Sequence, residues 1–319
     1  MKKEMNKKAF EMSFNWIFAI IAGVVILFLA IYATSKIIGT SEYKINTETA
    51  AKIDILLDPI RPGLASGKSE QINFRKDTRT YYTCNDIGTF GKQTIAFSEK
   101  TFGAWGEKGG EINSIKYIFA ENMIEGKNLY LFSMPFEMPF KVDDLIFISG
   151  NNYCFYQTPN EIKDEIQNLN LGNVYFANNI NDKNCTGTKV CFGSQCEISV
   201  YGMCNDISCK SMYDYGKVFK DNKVLYYDDS LLYAAIMSSP GIYECNVKRL
   251  MKKFSELADV YIKKINIIDL KQCGSTVAPD LLVMIGDARA LKSSEDLYLL
   301  SLKAETIDKK NPSGACSLY

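Results

Sequence analysis

The run WIFAIIAGVVILFLAIYA, Trp16 to Ala33, holds eighteen consecutive residues without a charge. At a rise of 1.5 Å per residue, a helix of that length nearly crosses a hydrocarbon core of ~30 Å, so the run predicts one membrane-spanning helix. Trp16 and Tyr32 lie near its two ends, where amphipathic rings favour the headgroup layer, and Ala33 closes it. Gly23 and Ala19 form a small-xxx-small pair of the kind that lets two such helices approach. The apolar run exceeds the roughly 7–15 residues of a signal-peptide core and no A-x-A site comes after it, which predicts a retained anchor.

Lys2, Lys3, Lys7 and Lys8 precede the helix and only Lys36 and Lys44 follow it closely, placing the N-terminus in the cytoplasm. All ten cysteines come after the helix: Cys84, Cys154, Cys185, Cys191, Cys196, Cys204, Cys209, Cys245, Cys273 and Cys316. An even number confined to that side fits an oxidising, extracytoplasmic compartment. The expected location is therefore the cell membrane, single-pass, with the C-terminal bulk outside.

Three segments are expected. Residues 1–40 form a cytoplasmic tip and the anchor. Residues 41–66 form a helical stalk, in which Ile45, Thr49, Ile53, Leu56 and Leu57 recur at helical spacing, and the face of Ile53, Leu56 and Leu57 is expected to pack on the body. Residues 67–319 form that disulfide-containing body, β-rich over 67–227 and helical over 228–319. The fold class is α+β. Strand signals run through QINFRK, RTYYTC, KQTIAF, IKYIFA, NLYLFSM, DLIFIS, YCFY, NVYFA, KVCF, CEISV and KVLYY. Thr158-Pro159-Asn160-Glu161 reads as a capping box opening a helix to about Leu169, and NVYFA then completes a β-α-β unit. Further helices are expected over Leu231–Met237, from Ser239-Pro240 along the stripe Val247 to Ile265, and from Ser293 to about Ile307. Leu281–Ile285 reads equally as strand or helix.

Lysine plus arginine equals aspartate plus glutamate at 37 each, which leaves no basic excess for nucleic acid. The cysteine spacing contains no C-x-x-C knuckle and the chain has no histidine, so no zinc site is expected. Disulfides are expected instead. Cys191 and Cys196 flank a short turn and suit a bridge, and Cys245 with Cys273 would pin the hairpin of the long helix. Without histidine neither a Ser-His-Asp nor a Cys-His catalytic machine can form. Carboxylate pairs remain as candidates for hydrolysis, Asp143-Asp144 and Asp228-Asp229, each with a plainer reading as a turn or a helix cap. Asn184-Cys185-Thr186 is a glycosylation sequon. Lys248, Arg249, Lys252 and Lys253 read as a solvated helix face, and Trp105 as a core plug in a glycine-rich loop.

The segment KKAFEMSFNWIFAIIAGVVILFLAIYA, with FGAW at Phe102–Trp105, MPFKVDDLIF at Met138–Phe147 and IYECNVKRLM at Ile242–Met251, resembles uncharacterised archaeal single-pass surface proteins. The resemblance implies an anchored surface protein and no particular chemistry. Lys7-Lys8-Ala9-Phe10 before the helix is also similar to the N-terminus of archaeal type IV pilins, though Glu11 comes directly after Phe10 where theirs lies further into the processed helix. The expected role is that of a membrane-anchored extracytoplasmic structural or binding protein, with an envelope protein or glycan as partner and no cofactor or catalytic residue. The alternatives are an anchored carboxylate-dependent hydrolase of glycans and a pilin-like assembly subunit.

Overall fold

The structure, a computed structural model, describes residues 14–57, 67–179, 185–205, 209, 211–269, 276–311 and 317–319. Helix α1 (Phe14–Leu57) is 44 residues long, about 66 Å at 1.5 Å per residue. Within it Trp16–Lys36 is apolar and long enough to cross a membrane, and none of it is buried by the rest of the chain. Thr34 and Ser35 return their hydroxyls to the carbonyls of Ala30 and Ile31, so neither presents an unmet donor on that surface. Further along the helix Ile53 is buried, clustered with Tyr82, Ile95 and Ile112. One continuous helix thus has an uncovered apolar part and a part seated on the body.

The first sheet contains β1 (Ser69–Asn85), β2 (Lys92–Thr101), β3 (Ala104–Trp105), β4 (Gly109–Ser114), β5 (Tyr117–Phe119), β6 (Met123–Glu137) and β7 (Lys141–Ser149). Its order is β3-β2-β1-β6-β7-β5, with β4 also on β2. QINFRK and RTYYTC belong to one strand, β1, whose pairing with β6 shifts register between Asn73 and Thr78. The sheet curls until its far strands meet. Gln93 on β2 donates to the Ile118 carbonyl on β5 at 2.7 Å and accepts the Ile118 N–H at 2.7 Å, so a side-chain amide does there what a neighbouring strand would do. Strand alternation sends Ile118, Ala120, Leu129, Leu131, Ile146 and Ile148 to the concave core. Tyr117, Phe119, Phe132, Leu145 and Phe147 face the opposite way.

The second sheet has the order β13-β12-β11-β10-β8-β9. It is built from β8 (Tyr153–Tyr156), β9 (Val174–Ala177), β10 (Thr188–Phe192), β11 (Ile198–Gly202), β12 (Tyr215–Lys220) and β13 (Lys223–Asp228). β8 and β9 are parallel and joined through α2 (Asn160–Asn168), the β-α-β unit expected from sequence. The start of α2 differs from the capping box. Pro159 is extended, its carbonyl accepts the Lys163 N–H at 2.9 Å, and no side chain caps the helix. The helix therefore starts too late for the Thr158 hydroxyl to reach a first-turn N–H.

Helices α3 (Leu231–Met237), α4 (Pro240–Asp269), α5 (Ala278–Ala290) and α6 (Leu297–Lys310) form the C-terminal part. Leu281–Ile285, ambiguous in sequence, is helical within α5, which Pro279 opens in its first turn. The main core joins these helices to the aromatic face of the first sheet and to the inner face of the second. Within it Phe132 stacks on Phe147 at 4.5 Å and Tyr233 meets both edge-on.

Helix α4 docks through its basic residues, which corrects the reading of a solvated face. Arg249 is fully buried and donates to the carbonyls of Phe90, Ile115 and Lys116 and to the side chains of Gln93 and Asn246, at 2.7–3.1 Å. Lys252 donates to the Asp86 and Gly88 carbonyls, and Lys253 pairs with Asp143. Strand ends at the seam leave carbonyls without ladder partners, and long cationic side chains from α4 supply the donors. Gly91 permits the close fit. Its φ is +57°, and a Cβ there would lie 2.3 Å from the Asn85 carbonyl oxygen and 3.1 Å from the Arg249 side chain.

Candidate functional site

Eight cysteines among the described residues form four disulfides: Cys84–Cys245, Cys154–Cys185, Cys191–Cys196 and Cys204–Cys209. The bridge across the short turn at Cys191 and Cys196 is the expected one. The expected Cys245–Cys273 pairing is not formed, because Cys245 on α4 faces the end of β1 and bonds Cys84. Cys273, Cys316 and the sequon asparagine Asn184 lie outside the described residues.

The two carboxylate pairs are each split. Asp143 and Asp144 lie inside β7, not in a turn, and successive strand residues point to opposite faces. Asp143 meets Lys253 on α4 and Asp144 pairs with Lys141. Asp228 ends β13 and accepts the Ser301 hydroxyl at 2.8 Å, whereas Asp229 is exposed on the other side. Ser230 does not cap α3; its hydroxyl donates to the Pro135 carbonyl at 2.8 Å. No group of three or more Cys, Asp or Glu that could hold a metal ion occurs among the described residues.

Asp229 opens onto an acidic cleft of about 440 Å³ between α2 and α3, shared with Glu161, Asp164, Glu165 and Asp214. The Tyr233 hydroxyl donates to Glu165, and burial raises the Glu165 pKa against that bond, with the Asp229 charge adding to the rise. Burial also pushes the Asp228 carboxyl up to about 7, partly countered by the Ser301 bond and reinforced by Asp229. A carboxyl whose pKa is higher folded than unfolded favours the folded state when protonated, so stability falls as pH rises from about 4 to about 7. Asp228→Asn is expected to keep the Ser301 bond and to gain about 1–2 kcal/mol at pH 8, with little gain near pH 4. Urea melts at the two pH values test this, and an equal effect at both would contradict it.

Trp105 is not a core plug. It sits half-buried in β3, with the Arg79 guanidinium 3.9 Å from its ring centroid and the Lys100 ammonium 5.6 Å away. Arg79 is also held by Glu125 at 2.9 Å, so this cation is already committed.

The larger candidate lies on the outer face of the second sheet, a cavity of about 540 Å³. Val200 and Val218 point into the core, so Ser199, Tyr201, Lys217 and Phe219 point out. Tyr201 and Phe219 meet edge to face at 5.5 Å, and the Lys217 ammonium lies 5.4 Å from the Phe219 ring. One rim is the loop closed by Cys191–Cys196, and the other is the β12–β13 turn, where Asp221 and Asn222 both take positive φ. Sequence reasoning missed this site because it missed β12. No family model, curated protein or solved structure matches the chain.

Proposed function

We propose that the protein is a membrane-anchored extracytoplasmic binding or structural protein, with its N-terminus in the cytoplasm and its body outside. The observation that carries this reading is the combination of an apolar helix left wholly uncovered and a body whose eight described cysteines are all paired. Paired cysteines persist in oxidising compartments, and a helix of this length and composition is accommodated by lipid. Hydrolysis requires two carboxyl groups flanking one bond, and neither sequence-adjacent carboxylate pair presents them, so neither pair supports the hydrolase alternative.

In intact cells, a membrane-impermeant protease is expected to cleave beyond Glu42 and to spare Met1–Glu11. Alkylation under denaturing, non-reducing conditions should leave those eight cysteines unlabelled. Protection of the body, or labelling of most thiols, would overturn both orientation and compartment. A pilin-like assembly subunit is a second reading, favoured by one feature of α1: its apolar part is uncovered while Ile53 is seated in the body. N-terminal sequencing separates the two, since cleavage after Ala9 supports assembly and an intact start supports a simple anchor.

A further inference from the structure

We propose that the cavity on the outer face of the second sheet binds hexuronate residues of an acidic polysaccharide. This names the ligand class of the extracytoplasmic binding protein proposed above and rests on that reading. Four observations converge on it.

First, Phe219 is 38% exposed on a strand whose neighbours Val218 and Lys220 are buried, so an aromatic ring is offered to solvent beside Tyr201. Flat aromatic faces stack on the C–H face of a sugar ring. Second, Lys217 and Lys223 have no carboxylate partner among the described residues. The nearby Glu197 carboxylate accepts the Lys189 N–H at 2.6 Å, and Lys220 is buried with Glu121 and the carbonyls of Ile236 and Ser238. Lys217, resting against the Phe219 ring, and Lys223 thus bring two ammonium groups without a carboxylate partner to an aromatic wall, which fits a ligand that carries both a flat apolar face and a carboxylate. Third, Asn222 and the Asp221 carboxylate at the β12–β13 turn supply the mixed donors and acceptors that sugar hydroxyls require. Fourth, a disulfide and a tight hairpin fix the two rims, and the volume of about 540 Å³ lies within the range of small-ligand sites.

The test is calorimetric titration of the full chain in detergent micelles with oligogalacturonate and oligoglucuronate. Maltotriose serves as the neutral control and citrate as the simple polyanion. Binding of at least one oligouronate, weakened by salt and absent for maltotriose and citrate, is the expected result. Lys217→Gln and Phe219→Ala should each weaken it about ten-fold. Both are surface changes, and unchanged thermal melts with intact disulfides show that the variants fold; Phe219→Leu serves if Phe219→Ala does not. No binding of either oligouronate, equal binding of maltotriose or citrate, or unaltered affinity in the folded variants would overturn the proposal. The protease and alkylation results judge the compartment separately, so failure here leaves that reading intact and failure there is visible without any glycan.

Discussion

Replacing Arg249 by methionine is expected to cost about 3–5 kcal/mol of stability, enough to unfold much of the population at growth temperature. Methionine fills similar volume, so the loss comes from hydrogen bonding and not from a cavity. The guanidinium satisfies five acceptors at once: the carbonyls of Phe90, Ile115 and Lys116, and the side-chain oxygens of Gln93 and Asn246. It also lies 4.8 Å from the Tyr117 ring, and burial alone lowers its pKa. Without it, Gln93 loses a partner that orients it across the β2–β5 seam, so the closure of the curled sheet weakens with the helix docking. Arg249→Lys retains the charge, but three donors on a flexible stem cannot meet five acceptors in a planar fan. It should recover less than half of the loss. Urea denaturation of the disulfide-intact chain measures both, and a methionine variant within about 1 kcal/mol of the parent would show that water replaces the guanidinium.

Much of the framework arises from local patterns that survive in the folded chain. The alternation in NLYLFSM and DLIFIS yields β6 and β7, and the apolar stripe from Val247 to Ile265 yields α4. The repeat MPFEMPF divides between β6, which holds Met134 and Phe136, and the bend before β7, which holds Met138 and Phe140, and all four are buried in the main core. What escaped the sequence are features whose partners lie far along the chain. YGKVFK gave no strand signal because Lys220 occupies an inward position, which is tolerable only because Glu121 and two carbonyls receive its ammonium. The basic residues of α4 read as solvated because nothing local reveals that a seam of open carbonyls awaits them. The cavity on the second sheet needed β12 and its pairing with β11, and neither was visible without Lys220 being explained. Disulfide connectivity divides along the same line: the five-residue Cys191–Cys196 loop could be read, and a bridge between β1 and α4 could not.

That long bridge should be the most consequential of the four. Cys84 and Cys245 are 161 residues apart, whereas Cys191–Cys196 and Cys204–Cys209 each close five. In the chain-entropy picture the restraint on the unfolded state grows with the logarithm of loop length, giving about 5 kcal/mol for the long loop and about 2 kcal/mol for a short one. The long bridge also ties β1 to α4 beside Asn246, whose side-chain amide donates to the Ile118 carbonyl at 2.8 Å and whose oxygen accepts from Arg249. Releasing it loosens the region that Arg249 organises, so the two effects are coupled and should not add. Cys84→Ser/Cys245→Ser is therefore expected to lose about 4–5 kcal/mol, and Cys191→Ser/Cys196→Ser about 2 kcal/mol or less. Combining the first pair with Arg249→Met should cost less than the sum of the separate losses. Denaturation under non-reducing conditions gives all three values. If the two serine pairs proved equal, loop length would not govern these bridges, and the long one would serve the docking of α4 alone.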